Sequence, residues 1–199
     1  MFNPLRIARE AVETFGALQK VGELAGLLAL LVDHEPQVVV EIGSDHGGTL
    51  WAWQQLPSVR RVLAVDLPLG GFHSGRCLDT HGVEVVYGDS HKDETLAELA
   101  DLLADDRVDL LFIDGDHTFE GVRSDFVMYS PLVRPGGLVG FHDILTHPNM
   151  PYVAVDILWR QLAQERLPLE EIITDPPTWG GIGVLYKTAE AALAGGETR

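Results

Sequence analysis

Glycine and acidic residues at the ends of short β-branched runs are the residues of this chain best suited to binding a ligand. Gly43, Gly47 and Gly48 follow the mostly apolar run at 38–42, and Asp66 ends the next run. A glycine turn lets the backbone approach a ligand closely, and an aspartate at the end of the neighbouring strand can accept both hydroxyls of a ribose. The combination predicts a site for a nucleoside.

Two later runs end in polar residues in the same way. Asp89 and Ser90 follow the run at 83–87, and Asp114 ends the run at 109–114. In a doubly wound sheet, ligands bind beyond the carboxyl ends of the strands, at the point where the strand order reverses. Four strand ends that carry polar residues therefore favour one shared site over unrelated turns.

The loop at 41–48 distinguishes between two classes of nucleoside cofactor. A dinucleotide-binding loop has the pattern G-x-G-x-x-G and places a pyrophosphate at a helix amino terminus. This chain has Asp45 in place of the second glycine. Glu41, two residues before the first glycine, suits the positively charged methionine end of S-adenosylmethionine better than a pyrophosphate. The pattern predicts S-adenosylmethionine, and an NAD(P)-dependent oxidoreductase on a similar sheet is the alternative.

Apolar runs alternate with segments of helical periodicity along most of the chain. This alternation predicts an α/β fold with a doubly wound, Rossmann-like sheet of about seven strands, mostly parallel, that ends in a C-terminal antiparallel hairpin. Strands are predicted at 38–42, 62–66, 83–87, 109–114, 137–141, 171–174 and 182–186, and helices at 14–33, 49–55, 93–104, 118–129 and 153–165.

The domain organisation follows from the same pattern. We expect a single domain over 1–188 with an N-terminal helical segment at 1–35, and a flexible tail at 189–199. The segment 67–82 interrupts the alternation with proline, glycine and histidine residues, which predicts an irregular loop that could cover the site.

Charge and composition exclude several classes of partner. Thirty acidic residues against fourteen basic ones give a net charge of −16, so a nucleic acid would be repelled. The longest apolar run is far shorter than the roughly 18 residues of a membrane span, and the N-terminus lacks a signal-peptide pattern. Cys77, the single cysteine, cannot form an internal disulfide. These features predict a cytoplasmic enzyme that acts on a small-molecule acceptor away from membranes, and they leave a homo-oligomer open.

The motifs resemble those of class I S-adenosylmethionine-dependent methyltransferases, near the cephalosporin-hydroxylase-like proteins and the O-methyltransferases of natural-product sugars. The resemblance covers nearly the whole chain and rests on Val39–Gly43 with Gly47-Gly48-Thr49, Asp66-Leu67-Pro68, Gly88–His91, Phe112–His117, Arg134–Gly137 and Phe141–Asp143. It implies methyl transfer to a hydroxyl of a small metabolite or sugar. The residues that it implies for cofactor binding are Glu41, Gly43, Ser44, Gly47, Gly48, Asp66, Asp89, Ser90, Asp114 and His117.

The acceptor chemistry is expected after the fourth and fifth strands. The methyl group of a sulfonium is already activated, so the protein mainly aligns the acceptor, and a base matters when the acceptor is a hydroxyl. Asp114, His142 and Asp143 are the predicted catalytic residues. His142 is the candidate general base, because an imidazole ordinarily titrates near neutral pH.

A divalent cation is the alternative to a general base. The resembled O-methyltransferases hold such an ion at these two strand ends with acidic or amide ligands, which implies Asp114, His142 and Asp143 as ligands for Mg²⁺ or another divalent cation. His142 stands in place of an acidic ligand, however, and Mg²⁺ prefers oxygen. Metal-assisted and metal-free transfer both stay open, as does a non-catalytic protein that only binds the nucleoside.

Overall fold

Seven strands form one sheet in the computed structural model, which describes residues 2–68, 82–174 and 177–188. The strands within these residues are β1 (Val38–Ile42), β2 (Arg61–Asp66), β3 (Val83–Tyr87), β4 (Val108–Ile113), β5 (Val133–His142), β6 (Leu169–Ile172) and β7 (Ile182–Tyr186). Their order is β3-β2-β1-β4-β5-β7-β6. β1 to β5 pair in parallel, and β7 is antiparallel to both β5 and β6. The predicted fold class is confirmed.

Helices cover both faces of this sheet. The α-helices within the described ranges are α1 (Pro4–Glu13), α2 (Val21–His34), α3 (Gly48–Gln54), α4 (Asp93–Leu103), α5 (Phe119–Tyr129) and α6 (Val155–Gln164). On one face α1 to α3 pack against strand residues such as Val39 and Phe112, and on the other α4 to α6 pack against Val40 and Ile113. Successive side chains of a strand point to opposite faces, so the central strands are apolar on both. Among these helices, none combines the length and the apolar character needed to cross a bilayer.

The N-terminal region differs from the sequence prediction. Hydrophobic spacing predicts one helix over 14–33, but the chain forms α1 and α2 with a loop at 14–20 between them. Gly16 lies in this loop with a φ of +77°, a left-handed conformation that interrupts a helix. The sequence carries the signals of α1, because Asn3 accepts a hydrogen bond from the backbone N–H of Arg6 and Pro4 occupies the first turn.

The predicted C-terminal hairpin is confirmed, with a small shift. β6 and β7 pair antiparallel with Ile172 opposite Ile182, and β6 begins and ends two residues before the predicted 171–174. β7 lies between β5 and β6, which places His142 at the end of β5 beside Ile182. Most of the loop predicted at 67–82, and the tail predicted at 189–199, lie outside the described residues.

Glu23 of α2 connects the N-terminal helices to the loop between β6 and β7. Its side chain is fully buried. Oε1 accepts a hydrogen bond from Thr174 Oγ1 at 3.0 Å, and Oε2 accepts one from the backbone N–H of Gly181 at 3.0 Å. Lys20 Nζ lies 3.3 Å from Oε1. Removal of this carboxylate would leave buried donors without an acceptor, which is costly in a protein interior.

We therefore expect Glu23→Ala to lower the free energy of unfolding by about 2–4 kcal/mol. Chemical denaturation followed by circular dichroism measures the change. Glu13→Ala is the matched control, because Glu13 is an exposed glutamate at the end of α1, and such surface substitutions stay within about 0.5 kcal/mol. Equal losses in the two variants would contradict the role given to Glu23.

Candidate functional site

Two glycines of the loop after β1 lie in close contact with the backbones of other loops. Gly43 has a φ of +80°, and a Cβ atom there would lie 2.5 Å from the carbonyl oxygen of Asp114. A Cβ atom on Gly48 would lie 2.3 Å from the backbone nitrogen of Ala17. Gly47, with a φ of +75°, is the residue before α3. Gly43 and Gly48 therefore bring the loops after β1 and β4 and the N-terminal segment into contact.

Asp66, at the end of β2, holds the same loop in place. Its Oδ2 atom accepts hydrogen bonds from the backbone N–H of Ser44 at 2.9 Å, from Ser44 Oγ at 2.6 Å and from the backbone N–H of Asp45 at 3.1 Å. Oδ1 accepts one from the backbone N–H of Leu67 at 2.7 Å. A carboxylate oxygen has two lone pairs, so Oδ1 retains capacity for a ligand hydroxyl while Oδ2 organises the loop.

Glu41 is more deeply buried than the sequence suggests. Its side chain is 1% exposed, and its carboxyl group accepts hydrogen bonds from Thr49 Oγ1 and from Trp53 Nε1. Burial raises the pKa of Glu41 from its ordinary 4.5 to about 8, against the opposing effect of these two hydrogen bonds. The carboxyl group thus connects β1 to α3, and the residue also lines the larger of two cavities at this edge of the sheet.

The two cavities meet at the carboxyl ends of the strands, where the strand order reverses between β1 and β4. One, of about 620 Å³, is lined by Asp66, Asp89 and Ser90 among others. The other, of about 660 Å³, is lined by Ser44 and the polar residues after β4 and β5. We call them the strand-end cavity and the acceptor cavity. They share the lining residues Leu18, Gly43, Asp45, Asp114, Gly115, Asp116 and His117.

Asp89 and Ser90, in the turn after β3, also line the strand-end cavity. Asp89 Oδ1 accepts a hydrogen bond from the backbone N–H of His91 at 2.9 Å, which lowers the pKa of Asp89. The carbonyl oxygen of Ser90 accepts a hydrogen bond from Tyr129 Oη at 2.9 Å. The predicted nucleoside residues from four strand ends therefore line one cavity, and Asp66 lies beside this turn because it pairs with Tyr87.

A cluster of two carboxylates and two imidazoles lies in the acceptor cavity; we call it the Asp–His cluster (Asp114, His117, His142 and Asp143). Asp114 Oδ1 is 2.9 Å from His142 Nδ1 and 3.1 Å from His117 Nε2. Asp143 Oδ2 is 2.8 Å from His117 Nδ1. The fold brings all the predicted catalytic residues together because the register places Ile113 beside Phe141, one residue before Asp114 and His142 respectively.

Opposite charges set the protonation of this cluster. Burial alone would lower the pKa of His117, but hydrogen bonds to Asp114 and Asp143 raise it to about 10. Burial alone would also lower the pKa of His142, but the negative charge of Asp114 and the hydrogen bond to it raise this pKa. Burial would raise the pKa values of the two aspartates, but the imidazoles keep both below the ordinary range. The opposite charges of the cluster thus favour the imidazolium form of each histidine and the carboxylate form of each aspartate.

The donor atoms of the cluster do not match Mg²⁺. Within the described residues, the side chains whose ligand atoms lie within 4.8 Å of one another are Asp114, His117 and His142. The sequence prediction names Asp143 rather than His117 as a ligand, whereas the carboxylate of Asp143 is hydrogen-bonded to His117. Two nitrogen donors and one oxygen are a poor set for a hard ion that prefers oxygen.

Gln19, in the loop before α2, is a site residue that the sequence prediction missed. Its Nε2 atom donates a hydrogen bond to Asp114 Oδ2, and Oε1 is buried without a hydrogen-bond partner among the described residues. Trp179 also lines the acceptor cavity, with Lys20 Nζ 4.7 Å from the centre of its ring. No local sequence pattern predicts a role for Gln19, because its partner Asp114 lies 95 residues away in the chain.

The buried carboxyl group of Glu41 predicts a measurable pH effect. Its pKa is raised in the folded state, so its favourable contribution is complete below pH 4.5 and is lost as the pH rises to about 8. The side chain of Glu41→Gln cannot ionise. Its amide oxygen can still accept one hydrogen bond, and its amide N–H can donate one. We expect its free energy of unfolding to rise relative to that of the native chain by at most about 1.4 kcal/mol per pH unit across this window.

Denaturant unfolding at several pH values measures this difference. Glu98→Gln is the control, since Glu98 is an exposed residue of α4 and its substitution should keep the native pH profile. A constant difference between Glu41→Gln and the native chain from pH 4.5 to 8 would contradict the assignment.

Comparison with known proteins places this site in a family. A family described as a methyltransferase domain matches residues 40–144. An uncharacterized protein of Acanthamoeba polyphaga mimivirus is 30% identical over 133 residues, which are 63% of this chain and 60% of that protein. An uncharacterized protein of Sinorhizobium fredii is 28% identical over 168 residues, 79% of this chain and 18% of that protein. The chain thus spans less than two thirds of these relatives.

Solved structures resemble the fold. The MycE methyltransferase of the mycinamycin biosynthetic pathway, in complex with Mg and SAH, superposes with a TM-score of 0.66 at 17% identity, over 98% of this chain and 58% of that one. The O-methyltransferase TomG from Streptomyces achromogenes, in complex with SAM, gives a TM-score of 0.60 at 18% identity. The superposition covers 94% of this chain and 91% of that one. The family match spans more than half of the 199 residues and includes the glycine loop, Asp66 and the Asp–His cluster. The chain belongs to the methyltransferase domain family.

Proposed function

We propose that this chain transfers the methyl group of S-adenosylmethionine to a hydroxyl of a small-molecule acceptor. The observation that carries the proposal is the junction of the two cavities at Gly43 and Asp114, beyond the carboxyl ends of the strands. A nucleoside in one cavity and an acceptor in the other would meet at this junction. Direct transfer of a group between two ligands requires such an arrangement.

The strand-end cavity has the donor groups and acceptor groups that a nucleoside needs. Asp66 Oδ1 retains one lone pair for a ribose hydroxyl, and Asp89 and Ser90 line the same cavity. The methionine end of the cofactor would lie along Gly43 and Ser44 toward the acceptor cavity. Glu41 then acts on the cofactor through Thr49 and α3, because it is almost fully buried and its carboxyl group is bound to Thr49 and Trp53.

The acceptor cavity combines apolar walls with one charged region. Leu18, Met150, Tyr152 and Trp179 contribute the walls, and the Asp–His cluster contributes the charge. Apolar pockets with a few placed polar groups are typical sites for small organic molecules. The acidic chain, with a net charge of −16, disfavours a polyanionic acceptor. A small hydroxylated metabolite, encountered in the cytoplasm, fits these features best.

Bound S-adenosylmethionine supplies an electrophilic methyl group, and the acceptor hydroxyl loses its proton during transfer. His142 is the predicted base, but Asp114 raises its pKa against the lowering effect of burial, which favours the protonated imidazole. In the imidazolium form the two histidines would instead stabilise negative charge on the acceptor oxygen. Asp143 Oδ1, which is buried without a hydrogen-bond partner among the described residues, would accept the hydrogen bond of the hydroxyl. As the oxygen–methyl bond forms and the sulfur–methyl bond breaks, the proton would pass to this carboxylate and S-adenosylhomocysteine would leave.

The cofactor assignment predicts that Asp66→Ala weakens binding of S-adenosylhomocysteine by about 10-fold to 100-fold, the cost of losing one charged hydrogen bond. Isothermal titration calorimetry measures the affinity. Asp106→Ala is the matched control. Asp106 precedes β4, at the amino ends of the strands and therefore opposite the site, and it pairs with Arg60 and Arg61. The proposal fails if the native chain binds neither S-adenosylmethionine nor its demethylated product.

The acceptor assignment predicts a different effect for His142→Ala. We expect turnover to fall by about 100-fold, because a group that stabilises charge in the transition state is lost. Binding of S-adenosylhomocysteine should change little. The assay follows formation of S-adenosylhomocysteine with a panel of hydroxylated small molecules. Equal losses of cofactor affinity in Asp66→Ala and His142→Ala would refute this division of roles, and affinity without turnover over the panel would favour a non-catalytic nucleoside-binding protein.

A further inference from the structure

We propose that Asp114, His117 and His142 bind a borderline divalent transition-metal ion, of the Zn²⁺ or Co²⁺ kind, in preference to Mg²⁺. The inference concerns the acceptor cavity of the proposed function and deepens it. Metal binding is measurable without cofactor or acceptor, so its failure and the failure of methyl transfer can be told apart.

The first support is the arrangement of the donors. The three side chains offer ligand atoms that all lie within 4.8 Å of one another. Asp114 and His117 come from the loop after β4, and His142 comes from the end of the adjacent strand β5. The donors are therefore supplied by two paired strand ends, whose spacing is set by the hydrogen bonds of the sheet.

The second support is an outer layer of hydrogen bonds around these donors. His117 Nδ1 lies 2.8 Å from Asp143 Oδ2, which directs Nε2 toward Asp114. Gln19 Nε2 donates to Asp114 Oδ2 and leaves Oδ1 to the cluster. A carboxylate on the far nitrogen of a histidine is the usual outer partner in metal sites, because it fixes the ring orientation.

Asp143 is held in place for this role. Its φ is +61°, in the left-handed region that most residues with a side chain rarely adopt, although aspartate adopts it more often than most. Such a conformation persists only where the surrounding structure supports it, and it is concentrated at functional sites. The turn directs the carboxylate from the end of β5 back to His117 rather than toward solvent, and Asp143 is 6% exposed.

The third support is the burial and orientation of His142, which is 4% exposed and faces Asp114 Oδ1 through Nδ1 at 2.9 Å. Its Nε2 atom has no hydrogen-bond partner within the described part of the chain, so this nitrogen can keep the single proton of a neutral imidazole while Nδ1 binds the ion. Binding of an ion displaces the protons from the coordinating nitrogens of His117 and His142.

The chemistry of the donors decides which ion is preferred. Imidazole nitrogens suit Zn²⁺ and its transition-metal neighbours, whereas Mg²⁺ takes oxygen ligands and keeps much of its water. His142 is the donor on which this preference depends, because a carboxylate at this position would leave one nitrogen and two oxygens. His142→Asp should therefore shift the site toward Mg²⁺.

The test uses the full chain after removal of metal with a chelator. Zn²⁺ and Mg²⁺ are titrated separately by calorimetry, and Co²⁺ is titrated by visible absorption, which reports ligand type. We expect one Zn²⁺ per chain, bound at least about 100-fold more tightly than Mg²⁺. His142→Asp should narrow this ratio by at least about 10-fold, and Asp114→Asn should weaken binding of every ion.

Matched variants separate this site from other metal-binding side chains. His34→Ala changes an exposed histidine at the end of α2 and should leave Zn²⁺ affinity and the Co²⁺ spectrum unchanged. If circular dichroism shows that His142→Asp is unfolded, His117→Gln serves in its place and should weaken Zn²⁺ more than Mg²⁺. The proposal is overturned if Zn²⁺ does not bind, if it binds no more tightly than Mg²⁺, or if folded variants of the three donors retain native affinity.

Discussion

The carboxylate of Asp114 is the group on which the structure of the acceptor cavity depends. It accepts a hydrogen bond from Gln19 on one oxygen and contacts His117 and His142 on the other. These partners come from three separate segments: the loop before α2, the loop after β4 and the end of β5. A buried charge is tolerated only when it is paired and hydrogen-bonded, so the segments stabilise the carboxylate while it holds them together.

The same principle applies to the other carboxyl groups of the site. Glu41 accepts hydrogen bonds from Thr49 and Trp53, and Asp66 accepts three from the loop after β1 and one from Leu67. Each carboxyl group thus has a structural role in addition to any contact with a ligand. The site is therefore preorganised by the fold rather than assembled when a ligand binds.

Parts of the chain outside the family match complete the site. The matched region is 40–144, whereas Gln19 and Trp179 lie before and after it. Glu23 links these two flanking parts through Thr174 and Gly181. The core of the family thus contributes the strand ends and the Asp–His cluster, and the flanking segments contribute walls of the acceptor cavity. Differences between family members in acceptor choice are expected in such flanking segments, because loops vary more than the sheet that carries them.

The sequence by itself determined the alternation of strands and helices, the C-terminal hairpin and the strand ends that carry the site. These features depend on local periodicity and on turn residues, which can be recognised in a single amino-acid sequence. Only the tertiary structure decided that Glu41 is buried against Trp53, that Asp143 pairs with His117, and that Gln19 reaches Asp114. Those contacts depend on strand register and on packing between segments far apart in the chain, and no local pattern encodes them.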